Sequence, residues 1–141
     1  MKILIDTNVI LDVLLKREPF AEDGYTIFKM ADENVIKAYL AAFAVTDIYY
    51  FINKNLNHDI CLKAIKALFN IMNVASVTRQ DIEKAMAISE FNDLEDALQL
   101  QLLKKVKGNF IITRNEEFQK LTDKAISPKE FVQNTKNFKN K

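Results

Sequence analysis

Short apolar, β-prone runs alternate with helix-period segments along this chain, and that alternation limits its fold more than any other feature. Residues 2–5, 35–40, 73–77 and 109–112 read as strands, with a short last one near 124–126. Helical spacing occupies 8–16, 21–32, 42–55, 59–71, 79–90 and 93–106. A turn or short helix follows over 115–121, and Ser127-Pro128 opens a final helix. Strands alternating with helices predict an α/β protein whose mostly parallel sheet of four to five strands is covered on both faces. Right-handed crossovers bring the C-terminal ends of such strands to one edge. Asp6 and Thr113 each lie just past a strand end, so a ligand crevice is expected there if the first and fourth strands are neighbours.

A length of 141 residues with 49% apolar content suits one domain with a sizeable core. Two glycines and two prolines leave little room for long irregular loops. Gly108 is placed to stop the helix over 93–106. The single cysteine excludes an intrachain disulfide; Cys61 also lies on the apolar stripe of Ala64, Ile65, Leu68 and Met72, which marks it as a small core residue. The N-terminus lacks a signal-peptide layout, and no apolar run approaches the roughly 20 residues of a membrane span. A soluble, cytoplasmic domain is expected. The net charge of +1 divides unevenly: residues 1–103 carry −5 and residues 104–141 carry +6. That contrast suits a phosphodiester, although a basic C-terminus also serves solubility. Beyond Val132 the chain turns Asn- and Lys-rich, so a domain over 1–132 and a basic, frayed tail over 133–141 are expected.

Several carboxylates and amides stand at comparable strand or helix ends: Asp6, Asp47, the pair Asp93/Asp96, and Thr113-Arg114-Asn115. Each has a structural explanation. Asp6 or Thr7 can cap the helix near Asn8, Asn92 or Asp93 the next late helix, and Thr113 or Asn115 the segment after the fourth strand. Asp47 can face solvent. Taken together they suggest more, because Asp93 and Asp96 project from one side of a helix. Clustered carboxylates repel one another unless a hard cation such as Mg²⁺ or Mn²⁺ joins them. Zinc fits poorly, given a lone histidine and a lone cysteine without ligand spacing, and His58 is better explained by its place near a helix start.

In this order, Asp6-Thr7-Asn8-Val9 after the first strand, Asp93-Leu94-Glu95-Asp96-Ala97-Leu98 on a late helix, and Ile111-Ile112-Thr113-Arg114-Asn115 with Phe118 beyond it resemble the PIN domain family over about residues 1–132. The resemblance implies a three-layer α/β/α sandwich and a metal-dependent ribonuclease, often the toxin of a bacterial toxin–antitoxin pair. By matching positions, it makes Asp6 the first metal ligand, Asp96 the main late-helix ligand and Asp93 an additional one. Thr7, Asn8 and Thr113 become water- or phosphate-orienting groups, and Arg114 a contact to the RNA backbone. It also implies a homodimer and an antitoxin as a possible protein partner; the Tyr49-Tyr50-Phe51 cluster is read as core and dimer surface rather than as an RNA stacking platform.

Two positions depart from the family pattern. Asp47 stands where a glutamate is usual, and its side chain is one methylene shorter. Asn115 stands where aspartate is frequent; its amide can still contact a metal or its water but lowers the site's charge. A catalytically weakened PIN-like module that binds RNA or protein is therefore the alternative. Phosphatases of the haloacid-dehalogenase type need Asp-x-Asp after the first strand, and Asn8 occupies the second of those positions. A phosphoaspartyl receiver needs a further strand-end aspartate that 74–78 does not supply.

Overall fold

The computed structural model describes residues 1–139. Five strands, β1 (Lys2–Ile5), β2 (Lys37–Ala41), β3 (Met72–Ala75), β4 (Phe110–Ile112) and β5 (Ala125–Ile126), form one sheet in the order β3-β2-β1-β4-β5, every pair parallel. The helices are α1 (Thr7–Leu14), α2 (Ala21–Asp32), α3 (Ala44–Asn55), α4 (His58–Ile71), α5 (Arg79–Met86), α6 (Leu94–Lys105), α7 (Glu116–Leu121) and α8 (Pro128–Lys139). Consecutive residues of central strand β1, Ile3, Leu4 and Ile5, are all buried, so both faces of the sheet are covered. The arrangement is an α/β/α sandwich. The strand order reverses at the β1/β4 pair, where Ile5 lies level with Ile112 and the Asp6 amide donates to the Ile112 carbonyl at 2.9 Å. That is the topological switch point, and a crevice opens at it.

Three helix ends share one device. Among the described residues, Lys16, Asn34 and Lys107 are the non-glycine residues with positive φ, and each follows the C-cap of α1, α2 or α6. In each case the next amide reaches back into the last turn: Arg17 to Asp12, Val35 to Met30 and Gly108 to Leu103, at 2.8–2.9 Å. These are Schellman closures. They correct two sequence expectations. Val35 is drawn into the cap of α2, so β2 starts at Lys37 rather than at 35. Lys107, not Gly108, takes the left-handed conformation; Gly108 suits its place because a Cβ there would meet Leu103 Cδ1 at 2.4 Å and force that side chain to shift.

Helix α5 also ends four residues early, because Ile88 and Phe91 fold back onto Ala85, Ala97 and Leu98. Helix α8 continues past Val132 to Lys139, packed on α2, with Phe131 and Val132 in the core. Apolar anchoring thus carries a helix into the segment expected to fray, and only residues 140–141 of that segment lie outside the described ones. Cys61 is fully buried, its Sγ donating to the Tyr49 carbonyl at 3.6 Å. His58 opens α4 and meets the Tyr49 hydroxyl through Nδ1 at 2.8 Å.

Candidate active site

Asp6 leaves β1 in extended conformation and caps α1, so its carboxylate is fixed at the switch point. Four donors hold it. The Thr7 amide (2.7 Å) and Gln99 Nε2 (3.1 Å) reach Oδ1; the Thr113 hydroxyl (2.7 Å) and Asn8 Nδ2 (3.2 Å) reach Oδ2. With 8% of its surface exposed, Asp6 is pinned rather than free. The backbone explains Thr113 as well. It follows β4 just as Asp6 follows β1, and the parallel register sets the two side chains beside each other.

Helix α6 brings the next two acids. Asp93 is its N-cap, accepting from the Asp96 amide at 3.1 Å, and Asp96 faces the same cleft one turn on. Asp47, in the first turn of α3, joins them. So does Glu95. Altogether Asp6, Asp47, Asp93, Glu95 and Asp96 line one cleft of about 460 Å³ with Thr7, Asn8, Leu11, Arg17, Phe51, Gln99 and Asn115. All four acids expected from the sequence are therefore brought together, Asp47 among them.

The crowding has an electrostatic signature. The Asp96 carboxyl is pushed up to about 6, first by loss of water and then by the negative charges of Asp93, Asp6 and Glu95. Glu95 is raised too, by desolvation and then by Asp47, Asp6 and Asp93. An all-oxygen donor set with surplus negative charge fits a hard divalent cation and not zinc. Among the described residues, however, no three acidic, histidine or cysteine side chains form a preformed metal-holding group. Asp6 already accepts about as many hydrogen bonds as a carboxylate can. To ligate an ion it must release one, and the contacts from Asn8 and Gln99 are the longest.

Three sequence assignments change. Thr113 is completely buried and donates to Asp6 while accepting from the Asn115 amide at 3.1 Å, so it orients the carboxylate rather than a water. Asn115 caps α7, its Oδ1 accepting from the Glu117 and Phe118 amides, which takes the oxygen that would contact a metal. Arg114 does not reach the cleft. Its guanidinium grips buried Asp12 through Nε (2.5 Å) and Nη2 (3.0 Å) and lies over the Phe20 ring. Asn8 braces both sides of the switch point, donating to Asp6 and accepting from the Arg114 amide. Thr7 lines the cleft as well.

Sequence reasoning missed Glu95, Gln99, Arg17 and Phe51 as cleft residues. Gln99 follows Asp96 by three positions on α6, a helical interval that could have marked it. The others carried no distinguishing pattern.

The PIN domain family model matches residues 2–117. Ribonuclease VapC1 of Aquifex aeolicus (strain VF5) is 26% identical over 136 residues, covering 94% of each chain. Among solved structures, VapBC2 from Rickettsia felis bound to a promoter DNA fragment superposes with a TM-score of 0.70 at 10% identity, covering 90% of this chain and 98% of that one. Mycobacterium tuberculosis VapC20, a sarcin–ricin loop cleaving toxin, gives 0.65 at 13% identity over 83% of this chain and 92% of its own.

Proposed function

This chain belongs to the PIN domain family, and from that membership and its acidic cleft we propose that it is a Mg²⁺- or Mn²⁺-dependent ribonuclease, the toxin of a toxin–antitoxin pair. One observation carries the reading: β1, α3 and α6 deliver five carboxylates to a single cleft at the strands' C-terminal edge. The likeness to Ribonuclease VapC1 over nearly all of both chains supports RNA as the substrate.

Asp6, Asp93, Asp96 and Asp47 would hold the ion, with Glu95 completing the negative rim. When bound, such an ion supplies Lewis-acid polarisation of a phosphoryl group and a more acidic water. The chain's own part is positional. Thr113, Gln99, Asn8 and the Thr7 amide fix the Asp6 carboxylate, so its charge is already oriented when substrate arrives. Thr7, which lines the cleft, would orient a phosphate oxygen or water. With its raised pKa, Asp96 carries a proton part of the time at neutral pH in the absence of a cation, and gives it up when positive charge enters.

The likeness to VapBC complexes supports an antitoxin as protein partner. No helix of the described residues is long and apolar enough to cross a membrane. We further infer a homodimer acting in the cytoplasm. A second reading, a PIN fold kept for binding alone, draws on Asp6 being fully hydrogen-bonded and on the absence of a preformed ion group among the described residues.

Incubation with structured and single-stranded RNAs in Mn²⁺, Mg²⁺ or EDTA separates the two, with Asp6→Asn and Asp96→Asn as controls. Cation-dependent cleavage lost in both variants is the expected result. RNA binding without cleavage in any cation would leave the binding module.

A further inference from the structure

Among the described residues lining the acidic cleft, Arg17 is the one cation and Phe51 the one aromatic ring. Neither is needed to build the carboxylate cluster. Arg17 is held by its backbone: its amide closes the Schellman turn of α1 on the Asp12 carbonyl, and its own carbonyl accepts from Ala21, both at 2.8 Å. Its guanidinium is loosely engaged. The nearest carboxylate oxygen, on Asp12, is 3.7 Å away, while Arg114 occupies both oxygens of that carboxylate at hydrogen-bond distance. Its contact with Asp12 is a loose ion pair, and the side chain, 41% exposed, lines the cleft where it can reach a guest. An anionic guest is what such a group can accept.

Phe51 follows Asp47 by one turn of α3, which sets it on the same face beside the acids. Its ring is 40% exposed and steadied edge-on by Tyr50, with centroids 5.5 Å apart and planes at 80°. A braced aromatic face open to water next to a phosphate-handling site can stack a nucleobase.

We propose that Arg17 and Phe51 form a nucleotide clamp: Arg17 holds a phosphate of the RNA and Phe51 stacks an unpaired base beside it. Bases within a duplex are already stacked on their neighbours and cannot meet the ring. The clamp rests on the ribonuclease reading, and it moves the backbone contact expected of Arg114 to Arg17.

The chain contains no tryptophan, so Phe51→Trp installs a unique fluorophore at the site in question. The Asp96→Asn background, expected to be unable to cleave, is titrated in Mn²⁺ with a single-stranded oligoribonucleotide and with the same strand in a duplex. Quenching by the single strand and not by the duplex is expected. Phe51→Leu in that background weakens single-strand binding about 5- to 100-fold, and Phe51→Tyr restores it. Arg17→Gln weakens binding and lowers the salt slope by about 0.7, with Arg17→Lys recovering part of it. In the cleaving enzyme both losses raise KM more than they lower kcat.

Equal quenching by the duplex, or Phe51→Leu binding as tightly as its parent, overturns the clamp. So does a tryptophan emission that shifts with protein concentration and ignores RNA, the sign of a seam between two copies. Cleavage by the wild type in those cases leaves the ribonuclease reading intact. A functioning clamp with no cleavage overturns the ribonuclease reading alone.

Discussion

Thr113→Val tests whether Asp6 is pinned by the fold. The substitution keeps the branched shape and removes the hydroxyl, which is completely buried, donates to Asp6 Oδ2 at 2.7 Å and accepts from the Asn115 amide at 3.1 Å. A hydrogen bond to a charged group contributes about 1.5–3 kcal/mol, and leaving the Asn115 amide without its acceptor adds about 1 kcal/mol. The expected loss is therefore about 2.5–4 kcal/mol. At about 3 °C per kcal/mol for a domain of this size, the thermal midpoint falls by roughly 7–12 °C. Urea unfolding followed by circular dichroism measures it, with Thr113→Ser as the control that retains the hydroxyl and loses only a methyl group. A Thr113→Val protein within about 0.5 kcal/mol of wild type, but inactive, would refute the reasoning and return Thr113 to the role of orienting water or phosphate.

Asp96→Asn addresses the crowded acids. Because the folded pKa of Asp96 is raised to about 6 from 3.8, the folded state binds more protons than the unfolded one between those values, and stability falls as pH rises through that window. The asparagine variant should lose that dependence and gain on the order of 1 kcal/mol at pH 7, after discounting for solvent screening; pH-dependent melting curves in EDTA check both. Lys105→Met removes the 2.7 Å ion-pair partner of buried Asp81, which ties α5 to α6. About 2 kcal/mol should be lost in urea unfolding, less than the ~3–5 for a fully buried pair, since Lys105 remains partly in water. Asp81, held well below the usual carboxylate range chiefly by Lys105, adds stability above about pH 4 that is lost on acidification, so this variant should also show a flatter acid limb. Lys107→Gly relieves the left-handed residue ending α6 and should stabilise by about 0.5–1 kcal/mol in the same assay.

Much of this architecture was legible because its signals are local. The apolar run of β1 and the acid after it fix both a strand and its exit, and the alternation of strands with helices dictates a parallel sheet. Helix ends were less legible: β2 starts late because a left-handed Asn34 commits Val35 to the preceding helix, a decision made by backbone bonds and not by β propensity. The site divides along the same line. Asp6, Asp93 and Asp96 could be read from strand ends and helical spacing. That Arg114 turns to Asp12, 102 residues away, follows from a buried charge needing a partner, which only the tertiary fold supplies. Arg17 keeps only a loose 3.7 Å contact with Asp12 because Arg114 holds both oxygens of that carboxylate. Helix α8 outlasted its composition because Phe131 and Val132 anchor it, and the amphipathic spacing there was outweighed by the asparagines and lysines around it.

On this reading the acidic cleft is a divalent-cation site whose charge is otherwise unbalanced. Calorimetric titration of the protein with Mn²⁺ at pH 6, repeated in two buffers of different ionisation enthalpy, tests it most directly. Binding accompanied by proton release is expected, with the proton count falling in Asp96→Asn and binding weakened in Asp6→Asn. No Mn²⁺ binding, or binding with no proton release and no response to either substitution, would contradict it.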